Sequence, residues 1–184
     1  MASWATKGIA VCAALLGALA VAPPSSRSQT AALEDFGGSW QFTRSARDTR
    51  SLEDGIDHVA DQLNLFIREI ARGEMRRRIQ PEGRVRFRIE SETRVAISID
   101  EWGPLSFDLG SAPRRVRGSE GDDIRAGLSF RQGRIYQREV HDQGHRTNVF
   151  SLSPDATHMT MSATIGSNQL PDEIRYRLTY RRLR

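Results

Sequence analysis

The sequence predicts a mainly β domain, a closed antiparallel meander barrel of about eight to ten strands, with one long helix inserted after the first strand. Three observations predict it. From residue 84 onward, apolar residues occupy every second position in run after run. Short turn clusters separate those runs, which sets neighbouring strands antiparallel. Before them lies one long stretch whose apolar residues recur at spacings of three and four.

The first strand is read from FGGSWQFTRSA, residues 36–46. Gly37 and Gly38 break any preceding helix, and Trp40 and Phe42 alternate with polar neighbours. The helix follows over about residues 51–79. Ser51 and Asp54 have the spacing of a capping box. Ile56, Val59, Leu63, Phe66, Ile67 and Ile70 form one apolar stripe, with Leu65 off it. Arg76, Arg77 and Arg78 stand at its C-terminal end, where cations suit the helix dipole. Gly73 is a position for an end or a kink, and Pro81 prevents continuation.

The strands then come in order. Val85, Phe87 and Ile89 alternate with arginines; Val95, Ile97 and Ile99 follow, then Leu105, Phe107 and Leu109. Ile124, Ala126, Leu128 and Phe130 repeat the rule, as do Met159, Met161, Ala163 and Ile165, and finally Ile174, Tyr176, Leu178 and Tyr180. The turns are read at Trp102-Gly103-Pro104, Gly110-Ser111, Glu120-Gly121-Asp122, Gln132-Gly133, Asp142-Gln143-Gly144 and Ser153-Pro154-Asp155. One apolar and one wet face per strand suits a sandwich or a barrel, and a barrel removes the exposed edges by closure.

The 184 residues suit one domain. Residues 1–28 read as a signal peptide: Lys7 supplies a positive start, Gly8 to Ala22 an apolar run too short to span a bilayer comfortably, and Pro23-Pro24 an end. Residues 29–35 are a linker, and residues 36–184 the barrel domain. Export to the periplasm or medium is therefore expected. Lys7 and Cys12 are the only lysine and cysteine, so everything past residue 28 lacks both. The formal charge of +4 falls to about +2 once Lys7 and Arg27 are set aside.

The order of a G-x-W strand (Gly38-Ser39-Trp40), a helical insertion and a long meander resembles the calycin barrels, the lipocalins and fatty-acid-binding proteins. The ending YRLTYRR is also similar to that of small exported bacterial proteins. The lipocalin resemblance implies that Trp40 closes one end of the barrel beside an arginine of the last strand, Arg181 or Arg182. The helix resembles in position the lid of fatty-acid-binding proteins. By the same likeness, a small apolar or amphipathic ligand would lie in the interior.

That interior would be lined by Phe87, Ile97, Phe107, Leu128, Phe150, Met159, Met161, Tyr176 and Tyr180, with Tyr176, Tyr180 and Gln137 as polar handles. A filled barrel is the other reading of the same residues. It would make the chain a structural or interaction protein of the cell envelope with an Arg-rich outer surface. The arginines concentrate at Arg72–Arg88, at Arg114, Arg115 and Arg117, and at Arg175–Arg184. They read as a solvated outer face, with weak contact to an anionic envelope surface as the functional alternative; nucleic acid is not expected. His141 and His145 flank a turn with Asp142 and read as turn chemistry, so no metal or cofactor is expected. His58 is explained by surface pairing with Asp54 and Asp61. With no G-x-S-x-G, P-loop or H-E-x-x-H motif and no catalytic cysteine, the chain is not read as an enzyme.

Overall fold

The computed structural model describes residues 31–118 and 121–183; the expected signal peptide over residues 1–28 lies outside them. A 3-10 turn at Glu34–Phe36 leads into β1 (Gly38–Phe42). Two helices follow, α1 (Ala46–Ala60) and α2 (Leu65–Arg78). Nine strands complete the chain: β2 (Arg84–Ser91), β3 (Arg94–Ile99), β4 (Trp102–Asp108), β5 (Arg114–Arg117), β6 (Asp123–Arg131), β7 (Arg134–His141), β8 (Gly144–Leu152), β9 (His158–Ser167) and β10 (Ile174–Arg182).

All ten strands form one antiparallel sheet in the order β4-β3-β2-β1-β10-β9-β8-β7-β6-β5. The first and last strands are neighbours, with Trp40 opposite Arg182 and Phe42 opposite Tyr180. The sheet curls on itself, and its two ends are β4 and β5, consecutive in the chain. Full closure was the expectation, but among the described residues no ladder joins β4 to β5. Two features of the sequence account for this. Pro104 removes a ladder donor from β4, and β5 is only four residues long, three of them exposed arginines. Side chains bridge the seam instead. The Trp102 indole donates to the Arg117 carbonyl at 2.8 Å, and the Arg114 guanidinium donates to the Ser106 carbonyl at 2.9 Å. Trp102-Gly103-Pro104, expected as a turn, opens β4; the reversal falls at Asp100, which has φ 48°.

Alternation gives these strands one buried face. On β10, Ile174, Tyr176, Leu178 and Tyr180 are buried while Arg175, Arg177 and Arg181 are exposed. Gln132 and Gly133, both at positive φ, make the two-residue turn between β6 and β7 that right-handed strand twist favours.

The one helix expected over residues 51–79 is two. The S-x-x-D cap operates six residues earlier than expected: Ser45 Oγ accepts the Asp48 N–H at 3.1 Å, and its hydroxyl donates to Asp48 Oδ2 at 2.7 Å. Ser51 instead accepts the Arg177 N–H at 2.9 Å, which docks α1 along the edge of β10 that short β1 leaves unpaired. Asn64 caps α2 by accepting the Phe66 N–H at 3.0 Å. This break rephases the stripe. Leu52, Ile56, Val59 and Ala60 of α1 join the core, but Leu65, Phe66, Ile67 and Ile70 of α2 are exposed, Phe66 by 90%.

The two helices meet instead through opposite charges at matching spacing. Arg72 pairs with Asp57 at 2.8 Å and Asp61 at 3.0 Å, Arg76 with Glu53 at 2.7 Å, and Arg68 with Asp61 at 3.7 Å. Acids four apart on α1 and its C-cap, Asp61, thus face arginines four apart on antiparallel α2.

Gly55 marks the closest approach of α1 to the sheet. A Cβ there would lie 2.4 Å from the Arg175 carbonyl oxygen. Helix propensity alone would have Gly→Ala stabilise by about 1 kcal/mol. Gly55→Ala is expected to do the reverse, by about 1–3 kcal/mol of overpacking. Gly73→Ala, with nothing within 4 Å, should follow propensity and stabilise α2. Urea denaturation of both variants checks the opposite signs.

Candidate functional site

The curled sheet has two unlike ends. At one, the chain entry plugs the interior. Phe36 is fully buried and meets Phe87 and Phe130 edge-on, each at 6.1 Å between ring centroids, while Phe87 meets Phe150 at 5.1 Å. Trp40 is fully buried, and its indole N–H donates to the Phe36 carbonyl at 2.9 Å. The Arg182 guanidinium lies 4.3 Å from the Trp40 ring. It donates to the carbonyls of Gly37 at 2.7 Å and Ala156 at 3.0 Å, and also to that of Asp35. Gly38, at φ 121°, lets the chain pass beneath it. Arg181 points the other way and is exposed.

The residues expected to line an interior ligand site lie in this packed region or beside it. Phe87, Ile97, Phe107, Leu128, Phe150, Met159, Met161, Tyr176 and Tyr180 are all buried in one apolar cluster. None of the nine borders the cleft that opens elsewhere in the sheet.

That opening is at the other end, where the helices sit. It is a cleft of about 1380 Å³. Ile99, Trp102 and Ile124 give it an apolar wall, and the C-terminal end of α2 borders it through Arg77 and Arg78. Its floor is polar. Glu82, from the link between α2 and β2, reaches Arg146 of β8 in a close ion pair. Arg146 also donates to Asn148 Oδ1 at 3.1 Å and to the Tyr176 hydroxyl at 3.2 Å. Asn148 donates to Gln137 Oε1 at 3.0 Å, and Gln137 to Glu139 Oε1 at 2.6 Å. Tyr180 donates to the Glu82 carbonyl at 3.1 Å. Strand alternation places these groups. Gln137 and Glu139 share the inward face of β7 with Ile135, and Arg146 and Asn148 share that of β8 with Phe150.

The electrostatics follow from burial. The strongest single influence on Arg146 is desolvation, which opposes its charge. Glu82, Tyr176 and Glu139 together outweigh it and hold the guanidinium above its ordinary pKa. Burial raises Glu139 above the usual carboxylate range, against the pull of Arg146. Burial likewise pushes the Tyr176 phenol up to about 12 and raises Tyr180. Both phenols therefore stay protonated at neutral pH.

Of these polar groups, Gln137, Tyr176 and Tyr180 are expected from the sequence, and Glu82, Glu139, Arg146 and Asn148 are not. The inward parity of β7 and β8 was the available signal: it puts polar residues where the other strands carry Leu, Met or Phe. The histidines take separate partners. His141 meets Asp122 at 3.1 Å, and His145 meets Glu173 at 3.2 Å. His58 pairs with Asp172 at 3.1 Å rather than with Asp54 or Asp61. Among the described residues no cluster of His, Cys, Asp and Glu has the makings of a metal site.

No protein-family model and no curated protein matches the chain by sequence. Solved structures do match it in shape. Lipid binding protein 8 of Caenorhabditis elegans aligns over 83% of this chain and 99% of its own, with TM-score 0.53 and 11% identity. Fatty-acid-binding protein 1 of Echinococcus granulosus aligns over 83% and 100%, with TM-score 0.52 and 11% identity. A secretary abundant heat soluble protein of Ramazzottius varieornatus aligns over 81% and 96%, with TM-score 0.54 and 8% identity. These likenesses show the fold, a curled ten-strand antiparallel half-barrel of the calycin, fatty-acid-binding-protein type.

Proposed function

We propose that this protein is a non-catalytic binding barrel that takes one small amphipathic molecule into the cleft at its helical end. The observation that carries the reading is the cleft itself: about 1380 Å³, with an apolar wall and a pre-built polar floor. The apolar part of a ligand would lie on Ile99, Trp102 and Ile124. Its polar end would face Glu82, Glu139 and Arg146. The packed aromatic half supports this half of the barrel and holds its strands in place. Two of the similar structures are named for lipid or fatty-acid binding, which agrees with an amphipathic ligand.

A second reading rests on α2. Its exposed Leu65, Phe66, Ile67 and Ile70, followed by exposed Arg77 and Arg78, have the pairing of apolar and basic groups that suits an anionic envelope surface. The leader expected over residues 1–28 would deliver either activity outside the cytoplasm, and N-terminal sequencing of protein recovered there checks it.

One titration separates the two readings. Nile red, a neutral solvatochromic dye, is expected to bind saturably at one site per chain. Ile99→Arg, at the half-buried wall, should weaken it roughly tenfold with an unchanged circular dichroism spectrum. Unsaturable dye uptake, or an affinity indifferent to Ile99→Arg, overturns the cleft reading. Salt-sensitive binding to phosphatidylglycerol vesicles, lost in Phe66→Ser, would favour the surface reading.

A further inference from the structure

The floor of the cleft holds more acid than base. Glu82 and Glu139 stand beside Arg146, two carboxylates to one guanidinium. That guanidinium is already engaged by Glu82, Asn148 and Tyr176. Glu82 is not fully engaged in return. Its side chain is 10% exposed, and its Oε2 is buried without a hydrogen-bond partner. An orphaned carboxylate oxygen at such a depth is costly, and it asks for a donor. Glu139 stands beside Glu82 and Arg146, its carboxyl raised chiefly by burial, against the pull of Arg146 and His141.

The rim does not reverse this balance. Arg77 and Arg78 are paired with Glu74, and Asp122 with His141. Asp100 accepts the Gly83 and Arg84 N–H groups at 2.9 and 2.8 Å. These groups are exposed, so water and salt screen them, whereas the floor is screened far less.

We propose that the cleft selects an amphipathic ligand whose head group is a hydrogen-bond-donating cation, a protonated alkylamine, over one that ends in a carboxylate. The inference rests on the cleft being a ligand site. An ammonium group would give Glu82 Oε2 its missing partner and add a second positive charge beside the two acids. A ligand carboxylate would be a third acid beside one guanidinium. To reach Arg146 it would have to displace Glu82 and leave that buried carboxylate unpaired, the costly outcome for a buried ion pair.

The test is displacement of Nile red at pH 7 by dodecylamine, dodecanol and dodecanoate, each below its micellar concentration. The amine should bind roughly tenfold tighter than the acid, with the alcohol between, the size of effect a charge-assisted hydrogen bond gives. Glu82→Gln and Glu139→Gln should each lower amine affinity by a larger factor than alcohol affinity, narrowing the preference for the amine. An acid that binds as tightly as the amine overturns the inference while the cleft reading stands, and so does an amine preference indifferent to both variants. Absence of saturable dye binding overturns both.

Discussion

Replacing Trp40 by alanine is expected to cost the fold about 3–5 kcal/mol, the range for deleting a large aromatic side chain from a packed core. The residue is fully buried, and three things depend on it at once. Its ring fills the plugged end of the barrel. Its N–H satisfies the Phe36 carbonyl at 2.9 Å. Its outer face carries the Arg182 guanidinium, which ties the chain entry to the last strand through the carbonyls of Gly37 and Ala156. Trp40→Phe keeps a ring and loses the hydrogen bond, so it should cost less, about 1–3 kcal/mol. Urea denaturation of both variants checks the ranking. A cost below about 1 kcal/mol for Trp40→Ala would remove Trp40 from the core.

Arg146→Met is expected to cost about 3–5 kcal/mol, because removing one partner strands the other's buried charge. The cleft admits some water to the site, which favours the lower end of that range. The double variant Glu82→Gln with Arg146→Met should recover much of the loss, since the cost lies in the uncompensated carboxylate rather than in the missing attraction. Arg175→Met makes the control. Its pair with Glu173 is exposed, and such pairs contribute under about 1 kcal/mol. Equal losses for Arg146→Met and Arg175→Met would show that the network around Glu82 is as solvated as the surface.

The strands were readable because each has one wet face: the period of two in Val85-Phe87 or in Ile174-Tyr176-Leu178-Tyr180 is a direct record of burial. Two matters were not readable in the same way. The break between α1 and α2 was hidden because the apolar spacing runs through it, although Asn64 carried the local capping signal. Closure was not readable, because alternation reports which face is buried and says nothing of whether two edges meet. Pro104 and the arginine-rich β5 did carry that information. The cleft floor was harder still. Glu82 comes from a loop, Glu139 and Arg146 from different strands, and only the three-dimensional register brings them together. An apolar interior was the natural expectation from Phe87, Phe150 and Met161. It describes the packed half of the barrel and leaves out the open half.

The seam between the helices has a consequence for how the molecule comes apart. α2 commits only Met75 fully to the core and is otherwise fastened by Arg68, Arg72 and Arg76 on the acids of α1. Each such fastening is weak singly and fades as ions accumulate. The sheet and α1 are fastened by apolar burial, which ordinary salt barely touches. The protein therefore has two hierarchically separate stabilities. Ionic strength acts on the helix bordering the cleft, so the opening of the cleft is expected to answer to the surrounding electrolyte while the barrel beneath does not.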